Sequence, residues 1–342
     1  MDQNAKILEN AIAGSLKIIE MDREREIISR RFGLSGGKET LEQIGESLSI
    51  TRERVRQLEK AVLIHLQIMA EDGEIAELAG AEKILIRNLT EMGRVAKLSE
   101  LADKVYGRET TGTERAGIYF VATLANNLTT VEENDRYCAS VGIADYGDAS
   151  AIKERVDEIV SIIRKNKSPM TLDELDDKLN YEHPDHIRAI ASISKLLATL
   201  NGVWGLAKWS SVNPKNIRDK IFVILEAHKE PMHFSEIAKE IRESNFKRKN
   251  VTVQAIHNEL IKDSRFVLIG RGIYALSTWG YKKGTIADII KSILEKSDKP
   301  LTREEIVKQV LRVRKVKETT ILLNLQNKKL FKKVDKNLYT VA

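Results

Sequence analysis

The chain has 342 residues, enough for two or three average domains, or for more if the domains are small. Hydrophobic residues make up 42% of it and aromatic residues only 5%, which favours small helix-rich domains over large sheets. The single cysteine, Cys138, excludes an internal disulfide framework and a cysteine-cluster metal site, and we interpret it as a buried small hydrophobic residue.

The charge is distributed unevenly along the chain, although the net value is only +6. Residues 1–146 hold 19 Lys and Arg against 25 Asp and Glu, a net of −6, whereas residues 214–342 hold 28 against 15, a net of +13. A block this basic is attracted to a polyanion, usually nucleic acid, without sequence preference. We find neither a membrane span nor the apolar core of a signal peptide, and expect a cytoplasmic, nucleoid-associated protein.

Two short helices joined by a tight turn are predicted early in the chain. Thr40 can cap the first helix, with Gln43 three residues on as in a capping box. Thr51 can cap the second helix by accepting a hydrogen bond from a free backbone N–H of its first turn. Ile50 and Val55 have the spacing of a hydrophobic staple, so Val55 is expected to point into a core.

The opposite side of the second predicted helix is polar and mostly basic. This side suits the DNA major groove, because Arg forks onto guanine, Gln pairs with adenine and Glu accepts from cytosine. Taken alone, the pattern is equally compatible with an ordinary solvated helix face. The residues on this side are Arg52, Glu53, Arg56, Gln57 and Lys60.

The segment that contains these helices, residues 23–63, resembles region four of primary sigma factors, the bacterial promoter-recognition subunits. The resemblance covers about an eighth of the chain. In that family the second helix of the motif reads the upstream promoter hexamer, and the domain docks on the flap of the polymerase β subunit. The matching blocks, in order, are Arg23–Ile28, Arg31–Leu34, Thr40–Gly45 and Thr51–Glu59.

The resemblance implies roles for individual residues of this sigma-like segment. A sigma factor keeps the domain at its C-terminal end, after aromatic-rich domains, whereas here it lies near the N-terminus and no second sigma-like block follows. We therefore do not expect the chain to initiate transcription as a complete sigma factor. The base-facing residues are expected to be Arg52, Glu53, Arg56 and Gln57, while Arg54 and Arg31 are expected to meet phosphates. Thr40 and Lys60 complete the set of expected DNA contacts.

A pattern that begins near residue 74 recurs roughly every 60 to 75 residues, the scale of one small domain. Each copy has a long amphipathic helix, a short capped helix, a third helix and a β-hairpin, which together make a winged helix. The predicted fold is therefore mainly α with small β-hairpin wings: an N-terminal helix-turn-helix followed by tandem winged-helix domains. The predicted domains are 1–72, 73–146, 147–213, 214–281 and 282–342.

The short helix and the hairpin identify each copy in the sequence. Polar residues that favour helix N-termini mark the short helices, and glycines that tolerate positive φ mark the turns. The predicted caps are Ser99, Thr171, Ser235 and Thr302. The predicted hairpin strands lie within residues 128–141, 202–206, 265–276 and 330–341.

The third copy carries Met232–Ala238, Val251–Leu260 and a hairpin from Phe266 to Tyr274. In these residues it resembles the HARE helix-turn-helix domain, found in the delta subunit of some bacterial RNA polymerases and in several DNA-handling proteins. The resemblance implies a role near polymerase or DNA and brings no catalytic residues. The alternative for the basic run before the third helix is a simple soluble loop. The expected polyanion contacts are Lys247, Arg248, Lys249 and the hairpin residue Arg271.

No catalytic, cofactor or metal site is predicted. His183 and His186 have no further ligand at helical spacing, and a helix that begins at Pro184 explains the segment better. The chain lacks the Glu-x-Lys of common metal-dependent nucleases, and also a Walker loop, a nucleophile elbow and a dinucleotide fingerprint. These absences argue against an enzyme.

Three functions fit these patterns. The leading hypothesis is a bacterial DNA-binding transcription regulator that recognises promoter-like double-stranded DNA, RNA polymerase or both through the sigma-like segment, and holds nucleic acid with its basic tail. The second is a protein that binds the polymerase β flap without reading sequence. The third is the DNA-recognition component of a restriction or defence system. No oligomeric state is predicted.

Overall fold

The computed structural model describes residues 3–179, 184–281, 283–297, 299–335 and 337–342. The chain forms two compact units, Met1–Lys208 and Trp209–Ala342. Each is mainly α-helical with small antiparallel three-stranded sheets, which confirms the predicted fold class. Within the described residues, none of the helices combines the length and the apolar character needed to traverse a lipid bilayer.

The first unit begins with four helices, of which the third and fourth form the predicted helix-turn-helix. Thr40 accepts from the Gln43 backbone N–H, and the Gln43 side chain accepts from the Thr40 N–H, so the capping box is confirmed. Thr51 accepts from the Arg54 backbone N–H at 3.2 Å and caps the next helix as predicted. The four helices are α1 (Gln3–Ile18), α2 (Asp22–Phe32), α3 (Leu41–Leu48) and α4 (Arg52–Glu71).

The helix-turn-helix has a small apolar core of its own. Ile27 from α2, Ile44 from α3 and Val55 from α4 are buried against one another. Ile50, in the turn, packs against this cluster, as the hydrophobic staple requires. The core fixes which side of α4 faces inward, and so which side faces solvent.

The turn between α3 and α4 requires glycine at position 45. A Cβ added to Gly45 would lie 2.7 Å from the carbonyl oxygen of Ile50, too close for the backbone to keep its path. We expect Gly45→Ala to lower the free energy of unfolding by about 1–3 kcal/mol, as overpacking does, measured by denaturant unfolding. Gly36→Ala is the control, because a Cβ there would meet nothing within 4 Å. Equal losses in the two variants would contradict this account of the turn.

Two winged helices complete the first unit, and in both the hairpin follows the third helix as predicted. The first consists of α5 (Leu78–Glu91), β1 (Val95–Lys97), α6 (Leu98–Tyr106), α7 (Gly112–Leu124), β2 (Leu128–Val131) and β3 (Ser140–Ile143). The second consists of α8 (Ala149–Asn166), β4 (Met170–Thr171), α9 (Leu172–Leu179), α10 (Pro184–Ile193), β5 (Leu197–Leu200) and β6 (Val203–Leu206).

The second unit contains two more winged helices with the same order of elements. The third consists of α11 (Ile217–His228), β7 (Met232–His233), α12 (Phe234–Glu243), α13 (Val253–Lys262), β8 (Phe266–Gly270) and β9 (Ile273–Leu276). The fourth consists of α14 (Ile286–Glu295), β10 (Leu301–Thr302), α15 (Arg303–Val313), α16 (Glu318–Leu325), β11 (Phe331–Asp335) and β12 (Leu338–Val341).

Each winged helix contains a short strand that the sequence did not predict. It follows the first helix and pairs antiparallel with the last strand of the hairpin, giving the spatial orders β1-β3-β2, β4-β6-β5, β7-β9-β8 and β10-β12-β11. The short strand also decides where the second helix begins, since its last residue occupies the cap position. Thr171 and Thr302 are such residues and accept from the N–H three residues on, which confirms both caps.

The other two predicted caps are wrong for the same structural reason. Strand β1 ends at Lys97, so α6 begins at Leu98 and Ser99 already lies inside the helix. Strand β7 ends at His233, whose side chain accepts from the Ser235 backbone N–H and takes the role expected of Ser235.

One apolar core runs through the sigma-like segment and the first winged helix. Helix α1 packs against α5, α6 and α7, and its Leu8 is buried in the same cluster as Ile28 of α2 and Phe120 of α7. The rings of Phe32 and Phe120 meet edge to face with centroids 5.1 Å apart. The boundary predicted at 72/73 therefore crosses a continuous core, and the division into five domains stays a prediction.

The loop between β2 and β3 attaches the first winged helix to the second. Tyr137 in this loop forms a β-bridge with Ser194, and its hydroxyl donates to Asp157 of α8 at 2.7 Å. Burial, together with this hydrogen bond to Asp157, raises the pKa of Tyr137 to about 12. Since the raised pKa favours the neutral phenol, its stabilising effect is complete below pH 10 and is lost as the pH rises towards 12.

We expect Tyr137→Phe to lower the free energy of unfolding by about 1.5–3 kcal/mol at pH 8, the range for a hydrogen bond to a charged group. Asp157 keeps its ion pair with Arg136 at 2.7 Å, so its charge is not left alone. Urea unfolding at pH 8 and pH 10.5 measures the effect, and the variant should lose less stability between the two values than the unaltered chain. An identical pH dependence would exclude a role for the Tyr137 hydroxyl.

Candidate nucleic-acid interface

The polar side of α4 is open to solvent over its first two and a half turns. Val55 lies between these residues in sequence and is fully buried, so the helix presents two distinct sides. A recognition helix contacts base edges with the residues of its N-terminal part. The exposed residues are Arg52, Glu53, Arg54, Arg56, Gln57 and Lys60, the complete set predicted on this helix.

Three of the predicted base-facing side chains are bonded to one another. The Arg56 guanidinium donates to the two carboxylate oxygens of Glu53 at 2.6 and 2.9 Å, and the Gln57 amide donates to the same carboxylate at 3.4 Å. The hydrogen bond to Arg56 lowers the pKa of Glu53 below its ordinary value. Because the pair is exposed, it adds little stability, but it holds Arg56 in place over the helix surface.

The remaining cations of this helix are available to contact DNA. Arg52, Arg54 and Lys60 make no ion pair within 4.0 Å in the part of the chain that the structure describes. They flank Arg56 on the exposed side of α4. Arg54 and Lys60 suit the positioning contacts that a recognition helix makes to the DNA backbone, and Arg52 lies in the N-terminal part that contacts base edges.

Arg31 and Thr40 are engaged in contacts within the protein. Arg31 donates to the Glu59 carboxylate at 3.2 Å and to the Glu39 carbonyl at 3.2 Å, and about a fifth of each side chain in its ion pair is exposed (21% and 18%). The Thr40 hydroxyl is exposed but serves the capping box with Gln43. A phosphate contact by Arg31 would have to break a partly buried ion pair, and the contacts of both residues stay predictions.

Two arginines that the sequence did not single out hold the helix-turn-helix in shape. Arg30 of α2 donates to Glu39 at 2.7 and 2.9 Å and to Ser47 of α3 at 2.7 Å. Arg23 of α2 donates to the Leu48 carbonyl at the end of α3 at 2.8 Å. The hydrogen bond to Arg30 lowers the pKa of Glu39 below its ordinary value.

A basic loop precedes α13 in the second unit. The loop backbone is hydrogen-bonded to Lys220, which is buried in the domain. Its ammonium group donates to the carbonyl oxygens of Lys247 at 2.7 Å and Arg248 at 2.9 Å. Burial and the nearby Arg248 lower the pKa of Lys220. With these carbonyls turned inward, the side chains of Lys247, Arg248 and Lys249 are exposed, as is Arg271 at the hairpin turn.

We expect Lys247→Gln/Arg248→Gln to weaken binding to all duplex sequences about equally, because phosphate contacts carry no sequence information. Affinity decreases as salt concentration rises, and the steepness of log affinity against log salt concentration should decrease by about 1 for each lost contact. Fluorescence anisotropy over a salt series measures this. Lys239→Gln/Arg242→Gln, which removes two exposed charges from α12, is the control. An unchanged slope in the loop variant would leave the loop without a role in binding.

The structure offers no support for the weak metal candidates. His183 lies outside the described residues, and the ring of His186 in α10 contacts Tyr146 edge to face, with centroids 5.3 Å apart. Where the chain is described, no group of three or more His, Cys, Asp or Glu could hold a metal ion. Burial raises the pKa of the partly buried Cys138, which disfavours the reactive thiolate.

Comparison with known protein families gives two matches, both to helix-turn-helix domains. Residues 21–67 match the family model for sigma-70 region 4. Residues 217–279 match the HARE-HTH model, a helix-turn-helix domain whose description names ASXL and restriction endonuclease proteins. The first match contains α2, α3 and α4, and the second contains the third winged helix, including Lys247 and Arg271.

Three curated relatives match the N-terminal region. RNA polymerase principal sigma factor HrdD of Streptomyces griseus is 46% identical over 52 residues, which are 15% of this chain and 16% of the relative. RNA polymerase sigma factor SigA1 of Synechococcus elongatus is 40% identical over 68 residues, 19% of this chain and 17% of the relative. The chloroplastic sigma factor sigF of Arabidopsis thaliana is 38% identical over 68 residues, 20% of this chain and 12% of the relative.

The chain thus spans less than a fifth of the length of these sigma factors, and the similarity lies in the part that contains the exposed side of α4. It carries a sigma-70 region 4 domain near its N-terminus and a HARE-type helix-turn-helix domain in its second unit.

Proposed function

We propose that the chain is a DNA-binding regulator of transcription in which α4 reads promoter-like sequence and the basic second unit adds sequence-independent affinity. In this proposal Arg52, Glu53, Arg56 and Gln57 contact base edges, while Arg54 and Lys60 contact the flanking phosphates. Lys247, Arg248 and Lys249 contact phosphates elsewhere on the duplex.

The observation that carries the proposal is the open polar side of α4 in a segment that matches sigma-70 region 4. Packing of these side chains beneath another part of the first unit would have excluded base contacts. Instead all six are exposed, and the small core of Ile27, Ile44 and Val55 holds the helix from the opposite side. The curated relatives are RNA polymerase sigma factors by name, which motivates promoter-like DNA as the target class.

The distribution of net charge along the chain supports different DNA-binding roles for the two units. The net of −6 over residues 1–146 disfavours a broad phosphate-binding surface there, so DNA contact by the first unit has to be local. The net of +13 over residues 214–342 favours non-specific attraction of the duplex by the second unit.

Selection of bound fragments from random duplex DNA by the full chain, with and without core RNA polymerase, tests the proposal. We expect an enriched motif in both selections, because α4 reads bases by itself. Absence of any motif in both selections would contradict sequence recognition by this chain.

The competing proposal is that the sigma-like segment binds RNA polymerase and reads no sequence. The observation that favours it is the ion pair between Arg56 and Glu53, which occupies the principal base-reading side chain. Retention of core polymerase on the immobilised chain, together with no enriched motif in either selection, would support this alternative.

A further inference from the structure

The wing of the third winged helix is covered along one edge by residues of the fourth. The backbone N–H of Lys315 donates to the carbonyl oxygen of Ile269 in β8 at 3.0 Å. Next to it, the Arg314 guanidinium donates to the carbonyl oxygens of Leu268 and Gly284. The segment between α15 and α16 is therefore fixed beside the wing.

Glycine at position 270 makes this close approach possible. A Cβ on Gly270 would lie 2.7 Å from the carbonyl oxygen of Lys315, so any larger residue would push the two segments apart. Arg271 follows immediately at the turn of the wing. The fold thus brings Lys315 next to the wing turn although they are 44 positions apart in sequence.

The contact between the wing turn and residues 314–317, called the junction below, is anchored by the buried cation Arg314, which has no acidic partner within 4.0 Å among the described residues. Arg314 is only 7% exposed, and its Nε has no hydrogen-bond partner in the described structure. The carbonyl oxygens of Leu268 and Gly284 accept its other hydrogens but do not neutralise its charge. A buried cation that lacks a counter-charge is costly, and an anion bound nearby would lower that cost.

The surface around Arg314 carries further cations. Arg271, Lys315 and Lys317 are all exposed, and none of them makes an ion pair within 4.0 Å among the residues that the structure describes. Residues 306–317 contain five Lys and Arg and no Asp or Glu. Glu318 is the next acid along the chain, at the start of α16. The junction is consequently positive from both of its parts.

We propose that Arg271, Lys315 and Lys317 form one phosphate-binding surface for the backbone of a nucleic acid, built jointly by the third and fourth winged helices. Lysine is a flexible point charge that suits phosphate oxygens rather than the patterned edge of a base pair. Lys317 occupies the cap position of α16, where the helix dipole also favours an anion. The inference rests on the proposed DNA-binding function and names a second contact that adds affinity without sequence preference.

The double variant Lys315→Gln/Lys317→Gln in the full chain tests this surface. The probe is a duplex without an enriched motif, titrated by anisotropy over a salt series. We expect the salt dependence to become weaker: the magnitude of the slope of log affinity against log salt concentration should decrease by about 1.8, since each phosphate contact contributes about 0.9. The matched control is Lys215→Gln/Lys296→Gln, which removes two exposed lysines of the same unit, neither ion-paired within the described residues. Its slope should stay close to that of the unaltered chain.

A second variant tests whether binding depends on the position of Lys315 beside the wing as well as on its charge. Gly270→Ala keeps every cation but displaces Lys315 from the wing. It should decrease the magnitude of the salt-dependence slope, while the far-ultraviolet circular dichroism spectrum stays unchanged. Equal slopes for the junction and control variants would overturn the inference and leave the proposed function intact. Failure of the unaltered chain to bind any duplex would overturn both.

Discussion

Replacing Arg56 with alanine is expected to weaken binding to a selected DNA site by about 1–3 kcal/mol, a loss of roughly 5- to 150-fold in affinity. Arg56 lies on the exposed side of α4, five positions after the Thr51 cap, in the N-terminal part with which recognition helices contact base edges. Binding would exchange its hydrogen bonds to Glu53 for hydrogen bonds to a base. Competition between the selected site and random duplex measures the effect, and the loss should appear for the selected site alone.

Arg87→Ala provides the control for this variant. Arg87 is an exposed arginine of α5 that also pairs with a glutamate on its own helix, Glu91 at 3.8 Å. Both variants remove one guanidinium and one exposed ion pair, so a general effect of charge would weaken both alike. A loss that is equal for the selected site and random DNA in Arg56→Ala would assign this arginine to the phosphates.

Phe120→Ala is expected to lower the free energy of unfolding by about 3–5 kcal/mol, the cost of truncating a fully buried aromatic side chain. Phe120 is completely buried in the core shared by the sigma-like segment and the first winged helix, and its ring meets Phe32 of α2. Because the core is continuous, the loss should reach both segments. Amide hydrogen exchange should show faster exchange in α2 and α4 as well as in α5 and α7.

Met21→Ala is the control for the core variant. Met21 is 61% exposed, and its truncation should change the free energy of unfolding by less than about 0.5 kcal/mol. Faster exchange confined to residues 73–146 in Phe120→Ala would instead show that the sigma-like segment unfolds independently, as the predicted boundary at 72/73 implies.

The local features of the helix-turn-helix could be predicted from the sequence because they depend on residues three or four positions apart. The caps at Thr40 and Thr51 and the inward position of Val55 are all set within one helical turn. The exposed side of α4 then follows from geometry, since side chains not on the buried stripe face outward. The hairpins within residues 265–276 and 330–341 were likewise visible from their turns and apolar strands, whereas the range predicted for the second hairpin, 202–206, contains β6 but not β5.

The pairing of distant segments could not be predicted in the same way. The short strands β1, β4, β7 and β10 have two or three residues, too few for an alternating pattern, and they exist because a hairpin offers them an edge. Their positions decide where the following helix begins, so the caps expected at Ser99 and Ser235 lie two residues late.

The sequence also does not distinguish basic side chains that support the fold from basic side chains that are exposed on the surface. Arg30 and Arg31 are adjacent in sequence, yet each is bound to a different glutamate, Glu39 and Glu59. Lys220 and Arg314 are buried and support loops by donating to carbonyl oxygens. Only the folded chain shows which carbonyl or carboxylate lies within reach, because these partners are 9 to 46 positions away in sequence.

The most direct test of base reading by α4 combines one protein variant with one altered base. Once a selected site is known, 7-deazaguanine is placed at each guanine of the site in turn, which removes the N7 acceptor that a bidentate arginine uses. At one guanine we predict a loss of affinity for the unaltered chain and no further loss for Arg56→Ala. Equal losses for both proteins at every guanine would contradict the account of α4 as the helix whose Arg56 reads the groove.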